Sequence, residues 1–276
     1  IDLAVKHRGR TPWDVARDPA RHPAEIVAFA QIKPGDKVVE LYAADGSNIK
    51  NISKIVGPKG HVYGITFMRD LDQAWELRDK QEKAEGGWHP IQIDEGIEME
   101  SASQYHNVSY MWTAANQFGG NIALPENVDV IYNDHYHDNH DLHTGWLDMV
   151  AVNKSLFRGT KPGGVYMIMD SVAAEGRGMK DAPRLHRTEP KALVAEVTAA
   201  GFVLEAEDVT WRRTDDTHTG TAQCEHCRDM SDRYAYRFRK PMNAPGDMRP
   251  KGDADPMKAY FGNTLVTEGV KGNLFE

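Results

Sequence analysis

One short stretch of the chain has the residue order of a cofactor-binding corner. The apolar run at residues 38–41 leads through small residues to Gly46. Beyond it Ile49, Ile52 and Val56 recur at helical spacing, so the order predicts a strand, a tight turn and the N-terminus of a helix. In open α/β sheets such a corner binds adenosine-containing cofactors, because the turn lets the ligand approach the backbone and free helix N–H groups face it. Many α/β proteins have the same corner and bind nothing there.

A dense group of potential metal ligands follows a later apolar run. Its members are His135, His137, His140, His143, Asp134, Asp138 and Asp141. Imidazole and carboxylate ligands suit a divalent transition metal, and the spacing of His140 and His143 places both on one helical face. A solvated polar loop explains the same residues, because the spacing fixes no closed ligand set. We therefore predict no bound metal and keep His135, His140 and His143 as candidate ligands.

The chain has two cysteines, Cys224 and Cys227, which form a Cys-x-x-Cys pair close to His218. Two thiolates and an imidazole could hold zinc, and the thiols could instead be redox-active. A single pair without a second one does not define a zinc site. We expect two free thiols in an exposed loop, with a metal site or a disulfide as the alternatives.

The composition limits the function classes that fit the chain. It has 276 residues, 40% hydrophobic content and a formal net charge of -8. The length suits one large domain, and the acidic balance argues against nucleic acid as the main partner, because phosphate contacts need a basic surface. No apolar run is long enough to cross a bilayer, so no membrane partner is expected. We expect a cytoplasmic protein; because residue 1 is Ile rather than Met, a periplasmic or exported protein is the alternative.

Apolar runs of strand length alternate with helical patterns along the chain. The predicted strands cover residues 38–41, 61–66, 128–132, 165–169, 202–211 and 232–239. The last two have no helical pattern between them, so we predict an antiparallel hairpin enlarged by an insertion at about 212–231. A second insertion, at about 86–120, has strand character, and residues 88–93 are a candidate third strand. Residues 1–22 are predicted to form an arm on the domain surface, and 242–276 a tail outside the compact core.

Glycine and proline mark the predicted ends of the helices. Gly57 and the proline after it end the helix of the first corner, and Gly159 and Gly201 end two later helices. Thr188 is predicted to cap the last of these helices, in which Pro190 lies early.

These elements, with Lys161-Pro162-Gly163-Gly164 before the fifth strand, resemble the class I S-adenosylmethionine-dependent methyltransferases over residues 23–241. The sequence is most similar to a poorly characterised bacterial branch of predicted methyltransferases. Members of that branch have Val-Val-Glu-Leu before the first loop, Tyr-His-Asp after the fourth strand and Leu-His-Arg after the fifth. The corresponding residues here are 38–41, Tyr136-His137-Asp138 and Leu185-His186-Arg187.

The resemblance implies an α/β fold with a doubly wound, seven-stranded Rossmann-like sheet, an antiparallel last strand, and extensions at both termini. It also implies S-adenosylmethionine as the cofactor, over the carboxyl ends of strands one, two and four. The implied cofactor-binding residues are Glu40, Tyr42, Ala44, Gly46, Thr66 and Asn133. The family pattern is acid-x-Gly-x-Gly-x-Gly, and Tyr42 and Ala44 occupy its first two glycine places. The Ala44 methyl narrows the approach of the ligand to the backbone, and Tyr42 could cover the site.

Methyl transfer needs alignment of the reacting atoms and a base when the acceptor carries a proton. The candidate catalytic residues are His137 and Asp138 after the fourth strand and His186 after the fifth. Each histidine could instead only hold its loop by packing or hydrogen bonding. We expect a small-molecule acceptor and a possible homo-oligomer. The first alternative is a methyltransferase-fold enzyme that has lost methyl transfer and uses the His-rich loop for metal-assisted or acid/base chemistry of the lyase or isomerase type. A non-catalytic binding protein is the second.

Overall fold

The computed structural model describes residues 1–2, 4–43, 46–68, 105–114, 125, 127–140, 147–224, 227, 229–245 and 266–268. For residues 66–68, 110–114 and 266–268 the description covers the backbone alone. No helix in these ranges combines the length and the apolar character needed to cross a membrane.

Strands and helices alternate through most of the described chain. The strands are β1 Lys37–Leu41, β2 His61–Met68, β3 Val108–Ala114, β4 Val128–Asn133, β5 Thr160–Ser171, β6 Val203–Asp208, β7 Arg233–Arg239 and β8 Val266–Glu268. The α-helices are α1 Pro12–Arg21, α2 Pro23–Phe29, α3 Ser47–Val56, α4 Met149–Gly159, α5 Ala182–Leu185 and α6 Pro190–Ala199. Two short 3-10 helices cover Gly57–Lys59 and Tyr136–His140.

The strands form one sheet in the order β6-β7-β5-β4-β1-β2-β3-β8. The strands from β1 to β5 pair in parallel, and β7 is antiparallel to both β5 and β6. The predicted doubly wound sheet with a reversed strand near one end is therefore confirmed, as is the antiparallel pairing of 202–211 with 232–239. The predicted seven strands gain an eighth, because β8 from the predicted tail pairs antiparallel to β3.

The candidate third strand at 88–93 falls outside the described residues. The third strand that the structure describes is β3. Strand β3 comes from the second half of the predicted insertion at 86–120 and pairs in parallel with β2 over seven positions. The strand character predicted for this stretch is confirmed. Because β3 belongs to the central sheet, the word insertion does not fit this part of the chain.

Helices cover both faces of the sheet, so its central strands are buried on both sides. Val38 and Val130 pack on the face of α2 and α3, whereas Val39 and Ile131 pack on the face of α4 and α6. The chain runs from β1 outward to β2 and β3 and then returns to β4 on the other side of β1. The carboxyl ends of β1 and β4 therefore form the switch point at which open α/β sheets bind ligands.

The helices begin and end at the predicted glycine and proline positions, and one predicted cap is the exception. Helix α3 starts after Gly46 and ends at Gly57, and both glycines have positive φ, at 62° and 64°. The prediction that Thr188 caps α6 is wrong, because Glu189 holds the N-cap position and makes no side-chain cap bond there. The Thr188 hydroxyl instead donates to the Asp170 carboxylate at 2.8 Å, and a buried charge is the stronger acceptor.

The predicted N-terminal arm does not lie only on the surface, because it contributes buried residues to the domain. Its helix α1 begins with a capping box between Thr11 and Asp14, and the Asp14 and Arg17 side chains are buried. Lys50 of α3 reaches Asp14 at 3.3 Å. Charged groups of the arm are thus ion-paired inside the folded domain, which fixes α1 against α3.

A buried lysine closes the end of α4. The Lys240 ammonium is fully buried and donates to the carbonyl groups of Phe157 at 2.8 Å and Thr160 at 2.7 Å. These carbonyls lie at the C-terminus of α4, where the last turn has no intrahelical donors and a positive charge is favourable.

We expect Lys240→Met to lower the free energy of unfolding by about 2 to 3 kcal/mol, because the α4 carbonyls would lose a charged donor while remaining buried. Urea unfolding followed by circular dichroism measures the change. Lys191→Met is the control, since Lys191 is 80% exposed and pairs only with the exposed Glu175. Equal unfolding midpoints for the two variants would contradict this role of Lys240.

Candidate active site

The loop that follows β4 is held by side-chain amides. Asn133, the last residue of β4, accepts the backbone N–H of His135 at 3.0 Å, which is the geometry of an Asx turn. Asn139 donates to the Tyr136 carbonyl at 2.9 Å within the 3-10 helix. Both amides are fully buried, so the loop carrying His137 has a fixed shape at the carboxyl edge of the sheet.

His137 and Asp170 form a buried imidazole–carboxylate pair between the ends of β4 and β5. Asp170 Oδ1 lies 2.7 Å from His137 Nδ1, and Oδ2 accepts the His137 backbone N–H at 2.7 Å. The Ser171 N–H and the Thr188 hydroxyl also donate to this carboxylate, at 2.7 Å and 2.8 Å. Because a carboxylate oxygen accepts hydrogen bonds, Nδ1 carries the ring proton, and the lone pair of neutral His137 is at Nε2.

The His137 Nε2 atom faces a cleft rather than the core. The Gln223 side-chain amide lies 3.1 Å from it and the Asp138 carboxylate 3.3 Å from it. The His186 ring stands nearly perpendicular to the His137 ring, with 5.1 Å between centroids. The structure thus brings together the three residues predicted as catalytic, and Nε2 is the atom at which a proton or a cation could be taken up.

Three arginines share one aspartate in the same cleft. Asp229 accepts from Arg17 Nε at 2.6 Å, from Arg21 Nε at 3.2 Å and from Arg233 Nη2 at 2.8 Å. Burial would raise the pKa of Asp229, but the guanidinium groups of Arg21, Arg17 and Arg233 outweigh it and hold that pKa well below its usual range. The cleft is open to solvent and is lined by these four residues together with His137.

His135 belongs to a separate ion pair that connects β4 to α3. Its Nδ1 lies 2.8 Å from Asp134 Oδ1, while Asp134 Oδ2 accepts from Asn48 in the first turn of α3 at 2.8 Å. Burial alone would lower the pKa of His135, but the carboxylates of Asp134 and Asp138 outweigh it, so the pKa is raised above the ordinary histidine value.

The predicted cofactor corner is present as a strand, a turn and a helix. Glu40 is buried at the end of β1, and Gly46 is the N-cap of α3. Tyr42 has φ 59°, the left-handed conformation that the family pattern supplies with glycine. Ala44 lies outside the described residues, and Thr66 is described only by its backbone position in β2.

Tyr42 connects the turn after β1 to the loop that carries His137. Its ring is part of the core on the face of α4 and α6, and its hydroxyl donates to Asn139 at 2.9 Å. Asn133, predicted to bind cofactor, is likewise engaged with the histidine loop through His135. The Tyr42 and Asn133 side chains therefore form hydrogen bonds that fix the loop carrying His137.

No model of a protein family matches the chain. A curated relative, rRNA 2'-O-methyltransferase fibrillarin from Giardia intestinalis, is 45% identical over 51 residues, which cover 17% of this chain and 16% of that protein. The chain thus spans about a sixth of the length of the relative it matches.

Solved structures resemble the chain over most of its length. A SAM dependent methyltransferase from Aquifex aeolicus has a TM-score of 0.49 and 17% identity, covering 83% of this chain and 94% of that chain. Aeropyrum pernix fibrillarin in complex with natively bound S-adenosyl-L-methionine has a TM-score of 0.46 and 13% identity, covering 78% and 73%. The strand order decides the fold independently of these likenesses. The chain has the class I methyltransferase fold.

Among the described residues, two of the metal-ligand candidates from the sequence, His135 and His140, have separate carboxylate partners. His140 Nε2 lies 3.1 Å from Glu196 of α6, His135 is paired with Asp134, and His143 lies outside the described residues. The expectation of free thiols is wrong, because Cys224 and Cys227 form a disulfide. Their Cα atoms are 5.0 Å apart, and a tight turn at this spacing brings two cysteines within bridging range.

Some site residues were missed by the sequence reasoning. Asp170 had a usable signal, since an acid that ends a parallel strand lies at the same edge of the sheet as the residues after β4. Gln223 and Asp229 had none, because they come from the 212–231 insertion, whose sequence has no periodic pattern. Arg17 was assigned to a surface arm, and nothing in its neighbourhood predicts burial.

We expect Asp134→Asn to lower the pKa of His135, because the variant loses the carboxylate that keeps the imidazole protonated. In the unaltered protein the pKa of His135 is raised, so the pair stabilises the fold fully when the pH is below the ordinary histidine pKa. This contribution is lost as the pH rises through the pKa that His135 has in the folded protein. Histidine Cε1–H chemical shifts followed by NMR over pH measure it. Glu175→Gln, at an exposed remote carboxylate, should leave the titration unchanged; an unaltered His135 pKa in Asp134→Asn would refute the pairing.

Proposed function

We propose that this protein transfers a methyl group from S-adenosylmethionine to a small molecule that binds in the cleft beside His137. The observation that carries the proposal is the His137–Asp170 pair, which directs a lone pair into a cleft at the carboxyl edge of a class I methyltransferase fold. When bound, the cofactor supplies an electrophilic methyl group. The protein must then hold donor and acceptor in line and provide a base that removes the proton of the acceptor.

The residues of the β1 corner fit an adenosyl cofactor. Glu40 is a buried acid one residue before the end of β1, and the left-handed Gly46 opens the N-terminus of α3 toward the switch point. Arg21 donates to Ser47 in the first turn of α3 at 2.7 Å, so a guanidinium lies beside that helix N-terminus. Helix N–H groups and a guanidinium together favour the carboxylate of the donor's methionine moiety.

The acceptor side of the site lies over β4 and β5. Asp170 keeps the His137 ring in one orientation and one tautomer, so Nε2 can take the acceptor's proton without a rearrangement of the imidazole. His186 and Asp138 border the same point and would orient the acceptor and stabilise the protonated ring. Asp229 and its three arginines line the same cleft as His137, and these charged groups suit a polar acceptor.

A small molecule is favoured over RNA as the acceptor. The fibrillarin of Giardia intestinalis is an rRNA methyltransferase by name, but this chain spans only about a sixth of it. The net charge of -8 gives no general attraction for phosphate backbones. The guanidinium groups in the cleft are ion-paired inside it rather than spread over an outer surface.

A second candidate function is metal-assisted or acid/base chemistry without a methyl donor. It is favoured by Tyr42, whose side chain takes the first glycine place of the cofactor loop. Titration with S-adenosylmethionine separates the two candidates, because only the first requires the donor to bind.

We expect the purified chain to bind S-adenosylmethionine and S-adenosylhomocysteine in calorimetric titrations, and Ala44→Gly to tighten the donor because it removes a methyl from the approach to the backbone. Absence of binding to either ligand would refute the methyltransferase proposal. An Ala44→Gly variant with unchanged affinity would refute only the account of the loop.

We expect Asp170→Asn to lower the rate of methyl transfer about 100-fold or more, because the amide can donate to Nδ1 and thereby favours the wrong tautomer of His137. Release of S-adenosylhomocysteine across a panel of small hydroxyl, amine and thiol acceptors measures the rate. His140→Gln is the matched control in the same loop. The donor affinity should stay the same in both variants, and a full rate in Asp170→Asn would remove His137 from the mechanism.

A further inference from the structure

A cluster of potential metal ligands surrounds His137 Nε2, and one pair in it has the spacing of two ligands on one ion. Among the described residues, His137, Asp138 and His186 each offer one ligand atom, and these atoms all lie within 4.8 Å of one another. Two ligands at about 2.1 Å from one ion, with tetrahedral or octahedral angles, lie roughly 3.0 to 3.5 Å apart. The 3.3 Å between His137 Nε2 and Asp138 Oδ1 falls in that range.

The other side of His137 has the partner that a metal-bound histidine needs. A ligating imidazole commonly donates its second ring N–H to a carboxylate, which fixes the ring and makes the ligand nitrogen more basic. Asp170 accepts Nδ1–H at 2.7 Å and is itself held by the Ser171 N–H and the Thr188 hydroxyl. The His137 ring is therefore oriented for a ligand at Nε2 before any ligand arrives.

The charges around the cluster also suit a divalent cation. Asp138 and Asp170 contribute two negative charges beside the imidazoles. The three arginines of the cleft oppose a cation, but Asp229 is bound among them and offsets part of their field. Asp138 is partly exposed, so an ion can reach the group from solvent.

We propose that His137, Asp138 and His186 form a binding site for a divalent transition-metal ion. Two imidazoles and one carboxylate with open positions are a ligand set for Zn²⁺, Mn²⁺ or Fe²⁺. Gln223, whose amide lies 3.1 Å from Nε2, would rotate to offer its oxygen or give way to the acceptor. In the proposed methyl transfer, on which this use of the ion depends, the cation would lower the pKa of the acceptor in place of direct proton removal by His137.

The site differs from the ligand set considered from sequence. That group already contained His137 and Asp138, but its candidate ligands were His135, His140 and His143 of the same loop, and His135 and His140 are paired here with Asp134 and Glu196. The proposed set combines adjacent residues after β4 with His186 after β5. It spans two strands and could be recognised only once the sheet had brought them together.

The test is metal binding by the full chain, measured without a methyl donor. The chelator-treated protein is titrated with Zn²⁺ and Mn²⁺ by calorimetry and with Co²⁺ by visible absorption, and the metal content after dialysis is measured by mass spectrometry. We expect one ion per chain. Asp138→Asn and His186→Gln should each weaken binding at least tenfold, and Asp170→Asn should weaken it 10- to 100-fold through the orientation of His137.

His140→Gln is the matched control, since it removes an imidazole from the same loop and should leave the affinity unchanged. No saturable binding, or binding that survives both Asp138→Asn and His186→Gln, would overturn the proposal. Loss of binding in His140→Gln alone would assign the ion to the other set and overturn it as well. If His186→Gln does not fold, Asp138→Asn decides the outcome, because its side chain is 28% exposed and tolerates the change.

The outcome is separate from that of the proposed function. Donor binding with no metal would leave the methyltransferase proposal intact with His137 as the base. Metal binding with no donor binding would leave the site intact and favour the second candidate function.

Discussion

The Asp170 carboxylate is the interaction on which the candidate site depends. It is 2% exposed and receives four donors, from the backbone and ring of His137, from the Ser171 N–H and from the Thr188 hydroxyl. Burial of an ionised carboxylate is costly unless every oxygen is hydrogen-bonded, so the three chain segments that supply these donors must meet here. The end of β5, the loop after β4 and the segment before α6 are thereby fixed to one another.

The fold was predictable because its signals are local. The apolar runs that form β1, β2, β4 and β5, and the glycines that end α3 and α4, are each recognisable within about ten residues of sequence. The antiparallel pair at the end of the domain followed from the missing helical pattern between two β-rich segments. Strand β3 was only partly recognised, because its aromatic and polar residues have no clear period. Strand β8 was missed because it is three residues long, as Val266–Glu268, and pairs far along the chain.

The candidate site was predictable only in part, because several of its contacts join distant segments. His137, Asp138 and His186 were found from short motifs after two strands. The Arg17–Asp229 pair spans 212 positions and depends on how an N-terminal helix and a late insertion pack against each other. Gln223 reaches His137 across 86 positions by the same insertion. Charge and polarity alone would have left these residues on the surface; only the assembled cleft shows that Arg17 and Asp229 are a buried ion pair and that Gln223 contacts His137.

The hydrogen bond from Tyr42 to Asn139 makes the turn after β1 and the 3-10 helix after β4 mechanically dependent on each other. Tyr42 sits in the turn after β1, and Asn139 sits in the 3-10 helix that also contains His137. A ligand that displaces the turn must either break this bond or pull the helix with it. One net hydrogen bond is worth about 1 kcal/mol, so a ligand that displaced the turn would change the affinity for a ligand at the His137 loop by about fivefold, and by reciprocity the reverse would hold. The tyrosine at a glycine place would therefore link ligands of the turn and of the His137 loop thermodynamically.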